Sequence, residues 1–250
     1  MTSSLVLHKG AQLCSLAELG AAPTPGHTRT HYPIPHHELW VRTTRTLGDL
    51  GFGITHEQHS MTPDQSSYFG VLDLDHQSVD YCVSIGLRND HNKRFPASLA
   101  VGSHVFACDN LAFSAQLVVS RKHTRFVNRD LDRLVVQALG KLGNHIKRQE
   151  QQFEAYKQHN LTFDQARSLL VQCIKANVMG CTNLPDALKS WENPPENASD
   201  APTVWRFFNV ITDVGKRWAP PLLVKRTQLL HGLCDSAVGF QFEPTNELTA

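Results

Sequence analysis

The chain has 250 residues, 41% of them hydrophobic, with a formal net charge of +1 at pH 7 and a sequence pI of about 7.7. That length can bury one substantial core or two modest ones, and the near-zero charge excludes a protein that acts as a polycation over its whole surface. No apolar run reaches the ~18 residues of a membrane-crossing helix, and the opening MTSSLVLHKGAQLC lacks the basic leader and long apolar stretch of a secretory signal, so a cytoplasmic protein is expected.

Residues 1–31 are rich in Ala, Gly, Pro and Thr without a sustained period, and are read as an N-terminal arm. After Pro35, the spacing of Leu39, Trp40, Thr43, Leu47 and Leu50 predicts a helix that Gly51 and Gly53 stop. Strands are predicted over 54–61 and 68–74, then from Tyr81, where Val83, Ile85 and Leu87 alternate with small residues. The polar run Arg88-Asn89-Asp90-His91-Asn92-Lys93-Arg94, closed by Pro96, reads as a loop. Strand resumes over 97–108, Asp109-Asn110 offers a tight turn, and Phe113, Ala115, Leu117 and Val119 line one face of a further strand that ends at Arg121-Lys122-His123-Thr124.

From Asn128 the period becomes helical, and Leu131, Val135, Leu139, Leu142, Ile146, Phe153 and Tyr156 trace one stripe of a long helix. Thr162 and Gln165 form a capping box for a second helix. The polar stretch 192–200 reads as an exposed loop, Thr203 caps another helix, and a last one spans about 222–234. The expected fold class is α+β: an antiparallel β-meander of about five strands, packed by a preceding helix and a long following helix, in a core domain over 32–160 with a helical region over 161–250. Six cysteines (Cys14, Cys82, Cys108, Cys173, Cys181, Cys234) are scattered without C-x-x-C spacing, so free thiols are expected.

Charge is the most informative signal. Between Arg88 and Arg129 seven Lys or Arg residues face only Asp90 and Asp109, a local excess of five in a chain of net +1. In a meander, the 88–96 loop and the 121–125 segment can fall on one edge of the sheet. A concentrated positive edge suits a phosphate backbone.

The motifs GLRNDH (86–91), FACDNLAF (106–113) and RKHT (121–124), with YPIPHHEL (32–39) before them and WRFFNVITDVGKR (205–217) after, resemble the phage- and plasmid-associated domain of unknown function 932 over roughly residues 30–217. Asp90 departs from the pattern, standing where that family would have a small hydroxyl residue. The resemblance implies a context of prophages and conjugative plasmids and no particular chemistry.

Three functional readings follow. The first is single-stranded DNA binding or annealing, with Arg88, Lys93, Arg94, Arg121, Lys122, His123 and Arg125 on phosphates and Phe95, Phe126 or Tyr68 stacking on bases. Asn89, Asp90, His91, Asp109 and Asn110 form the accompanying loop and turn motifs, and suit their own backbone as well as a ligand. Homo-oligomerisation through a sheet edge is compatible with it. The second is a protein-binding module that antagonises host defence, contacting a host or phage protein through the arm or the 192–200 loop. The third is a nucleic-acid-processing enzyme. Cys108, His123 and Asp109 have the residue types of nucleophile, base and orienting acid, and Asp73, Asp75 and Asp80 are the close carboxylates a metal-dependent nuclease would need. His36-His37 and the pair His56 and His59 are the nearest metal-ligand types, but His56 and His59 point to opposite faces of a strand, so no metal and no other cofactor is expected.

Overall fold

The computed structural model describes residues 10–78, 81–105, 110–194, 201–218 and 220–241. These form two compact units, divided between Lys141 and Leu142. Among the described residues the fold is α+β, with a six-stranded antiparallel sheet and eight α-helices.

The first unit carries β1 (Gln12–Leu13), α1 (Leu16–Ala21), α2 (His36–Asp49), β2 (Ile54–Met61), β3 (Ser67–Gln77), β4 (Tyr81–Asp90), β5 (Ala97–Val105), β6 (Asn110–Arg121) and α3 (Val127–Leu139). The strands lie side by side in sequence order, as short connections require. Large apolar side chains alternate with small ones along β4, and the small Cys82 and Ser84 are buried as well. Tyr81, Val83, Ile85 and Leu87 of β4 are buried, as are Tyr68, Leu72 and Leu74 of β3 and Leu99 and Val101 of β5. α2 packs on β4 and against α3, burying Leu39 and Leu47. Gly70 leaves the room in which the Tyr68 hydroxyl lies, since a Cβ there would collide with it. Gly51, at φ +80°, turns the chain after α2 in the left-handed conformation that glycine adopts without strain.

Three expectations are corrected. The segment read as an arm is tied down in its described part: β1 pairs with β2, and α1, closed by a Ser15/Glu18 capping box, buries Leu19. The polar residues Arg88, Asn89 and Asp90 belong to β4, where Arg88 pairs with Ser98 and Asp90 with Ser67. The stripe from Leu131 to Tyr156 is two helices rather than one, broken at Gly140 and Lys141, whose N–H groups close a tight turn onto Val136 and Ala138. Glycine is a poor helix former, and because Leu139 and Leu142 are both buried the apolar period runs through the break unaltered.

The second unit carries α4 (Leu142–Gln158), α5 (Phe163–Lys175), α6 (Leu184–Glu192), α7 (Val204–Val214) and α8 (Pro220–Val238). Thr162 and Gln165 form the expected capping box, and Thr203 accepts the Arg206 N–H. Phe153, Trp205 and Phe208 pack as an aromatic core, the first two rings 4.7 Å apart between centroids. Cys14, Cys82, Cys173, Cys181 and Cys234 are free thiols, and Cys108 lies outside the described residues. No helix among the described residues is long and apolar enough to cross a membrane.

Ile85 sits fully buried in a central strand. Its replacement by Ala is expected to cost ~2–5 kcal/mol in chemical denaturation, while Val118→Ala, at an exposed position of β6, stays within ~0.5 kcal/mol.

Candidate nucleic-acid interface

The pairing of Ala97 with Arg121 places the 91–96 connection beside the segment that leaves β6. Between them is a cleft of about 390 Å³. One wall is Lys93, Arg94, Phe95 and Pro96, and the other is Lys122, His123 and Thr124, with Thr30 and His31 closing it.

Beneath the cleft lies a buried polar network centred on Asn89. Its amide nitrogen donates to the Ile34 carbonyl and to His36 Nδ1, each at 3.0 Å, and its oxygen accepts from His123 Nε2 at 2.7 Å. His36 Nε2 donates to the Gln65 carbonyl at 3.0 Å, His91 Nε2 to that of Ile34 at 2.9 Å, and His31 Nε2 to that of His91 at 3.0 Å. Carbonyl oxygens only accept, so each of these Nε2 atoms carries a proton, and Nδ1 of His36 must be the bare acceptor. The His36 and His91 rings stack at 3.9 Å. Asp90 is also buried, accepting from Ser67 Oγ at 2.6 Å and from the Arg94 N–H at 2.9 Å.

Burial holds His36 down at about 4, helped by the neighbouring His91 against the hydrogen bond to Gln65, which opposes the shift. Burial and then His31 bring His123 to about 4 as well. His91 is lowered by burial too. All three are neutral at pH 7.

The expected phosphate-binding residues divide between surface and interior. Lys93, Lys122 and Arg125 are exposed and make no ion pair among the described residues. Arg94 is exposed with Asp64 at 3.6 Å. Arg121 is held by Asp130 at 2.5 Å and by Thr124. Arg88 is half-buried, with its guanidinium 5.1 Å from the centre of the Phe95 ring, and burial lowers its pKa. Asn89, Asp90, His91 and His123 are buried structural groups. Asp109 lies outside the described residues, and Asn110 begins β6.

Of the three stacking candidates, Tyr68 is excluded, being fully buried with its hydroxyl 3.1 Å from His59 Nδ1. Phe95 is half-buried against Phe69. Phe126 is 47% exposed at the start of α3. The guanidinium carbons of Arg125 and Arg129 lie 5.1 and 4.7 Å from the centre of its ring. Arg42 of α2 pins this helix end, bonding the Asn128 carbonyl and Asp132, each at 2.9 Å. Arg129 in the stacking position had only its charge to signal it in the sequence.

Of the residues of the enzyme reading, His123, Asp73 and Asp75 are among the described residues. His123 is committed to Asn89, while Cys108, Asp109 and Asp80 lie outside the described residues. Asp73 is buried and accepts from Ser84 Oγ at 2.5 Å. His59 is buried and His56 exposed on β2, and no cluster of three or more metal-ligating side chains occurs among the described residues. Comparison of the chain with protein-family models, curated proteins and solved structures finds no match, so the family resemblance rests on its motifs.

The network makes stability depend on pH. His36 and His123 take up protons near pH 6.5 when unfolded and about 4 when folded, so between those values the unfolded chain binds more protons. Thermal unfolding followed by circular dichroism is expected to show the melting temperature falling as pH drops from about 6.5, with the contribution of these two rings exhausted below about 4. Asn89→Ala strands His36 Nδ1 and His123 Nε2 in the interior, while the Ile34 carbonyl keeps His91, and is expected to cost ~3 kcal/mol at pH 7.5.

Proposed function

We propose that the end of the sheet around the 91–96 connection and the start of α3 binds single-stranded DNA, in the mobile-element setting that the motif resemblance implies. The observation that carries this reading is Phe126, an exposed aromatic ring flanked by two arginines beside a cleft rimmed with lysines. A solvent-facing ring of this kind can stack on an unpaired base whatever its identity, while Arg125 and the cleft lysines meet the phosphates and Arg129, held by Asp130 at 3.1 Å, backs the ring. A duplex keeps its bases stacked on one another and leaves such a ring without a partner. Annealing of complementary strands and assembly of several copies are extensions of the same proposal.

Fluorescence polarisation of a labelled single-stranded oligonucleotide across a salt series tests it, with the same sequence as duplex for comparison. Affinity is expected to fall with salt, with a slope of about 0.7 per phosphate contacted. Phe126→Ala should weaken single-strand binding by ~1–3 kcal/mol, a factor of roughly 5 to 150. Lys122→Ala/Arg125→Ala should lower both affinity and salt slope. A folded protein that binds no single strand at low salt, or binds it unchanged in both variants, contradicts the reading.

A further inference from the structure

We propose that the cleft between the 91–96 connection and the segment after β6 holds a phosphate monoester, namely the terminal phosphate of a nucleic-acid strand, and that one proton is taken up from solvent as it binds. The inference rests on the single-strand reading for the strand and on the cleft alone for the phosphate.

The charge count favours a monoester over an internal phosphate. Lys93 and Lys122, the two exposed lysines, stand on opposite walls, and Arg94 shares its charge with Asp64. With Asp90 turned beneath the cleft onto Ser67 Oγ and the Arg94 N–H, the two rim ammonium groups meet the ~1.5 to 2 negative charges of a monoester near pH 7, whereas an internal diester carries one. Thr30 and Thr124 add hydroxyls at the rim.

The proton enters through His123. Its Nε2 is spent on Asn89 and the residue lines the cleft, so Nδ1 is the position that remains to be protonated. The titratable and charged groups around it are His31 from the chain before α2, Asp90 and His91 from the end of β4, and Lys93, Arg94 and Lys122 about the cleft. A dianion placed among these reverses the balance that keeps the ring neutral, and the added proton gives it a further charge-assisted donor.

Lys93 supplies the means of testing this without unfolding the protein. It has a left-handed backbone, φ +64°, a conformation that costs a lysine free energy and a glycine almost none. Lys93→Gly therefore removes the charge while relieving the backbone, and Lys122→Gln changes an exposed side chain.

The experiment compares one oligonucleotide sequence with a 5′-phosphate, a 3′-phosphate or neither, together with a nucleoside monophosphate, at pH 7.5 and 6.5. One phosphorylated end is expected to bind ~10-fold or more tighter than the unphosphorylated strand, and that preference should grow as the pH falls from 7.5 to 6.5, with the factor of about ten that one proton allows per pH unit as its ceiling. Lys93→Gly/Lys122→Gln should abolish the preference with an undiminished melting temperature. Equal binding of the three oligonucleotides overturns the cleft assignment and leaves single-strand binding standing. So does a preference that survives in the double variant. Binding of the nucleoside monophosphate with the same pH dependence, and of no oligonucleotide, supports the cleft and overturns the strand.

Discussion

The carboxamide of Asn89 is the point on which this end of the first unit depends. It stands at the end of a central strand with no access to water, and it joins three parts of the chain: the segment before α2 at Ile34, α2 itself at His36, and the segment after β6 at His123. A buried amide left without partners is costly, and each partner here is itself a buried polar group. The arrangement has one consistent assignment of hydrogens. Turning the amide over would face its N–H₂ toward the His123 N–H and its oxygen toward the Ile34 carbonyl. Protonating His36 at Nδ1 would oppose two donors.

That constraint separates inner from outer chemistry within a few residues. Asn89, Asp90 and His91 turn inward and hold the walls of the cleft in place, and Lys93 and Arg94, immediately after them, turn outward to rim it. The same division recurs after β6, where Lys122 is exposed, His123 is locked to Asn89, and Arg125 reaches the solvent-facing ring of Phe126. The polar residues of the two motifs are thus the frame, and the cations next to them are the surface that the frame presents.

Much of the architecture was legible in the sequence. The alternation from Tyr81 to Leu87, the limits of β2, the helix after Pro35 and the Thr162 capping box all rest on local patterns, and local patterns are what a sequence displays. Arg88 to Asp90 read as a loop because a polar run ordinarily needs water. Here the water is replaced by Ile34, His36, Ser67 and His123, which lie 20 or more residues away. The break at Gly140 was hidden because buried leucines on either side keep the period of one helix. β1 and α6 were missed for their brevity: β1 has two residues, and α6 buries only Ala187 and Trp191. Tyr68 and Phe126 were equal candidates for stacking, and only the packing of Tyr68 beneath His59 and the exposure of Phe126 tell them apart.

The most direct test of the central claim is the protonation pattern of the histidine rings, read by long-range nitrogen-15 NMR on the folded protein near pH 7. The account predicts neutral imidazoles protonated at Nε2 for His36, His91 and His123, with His36 Nδ1 in the acceptor state facing Asn89. A proton on Nδ1 of His36, or a His123 ring with no proton on Nε2, would contradict it, because the ring concerned could then not hold the bond to Asn89 that keeps this end of the sheet together.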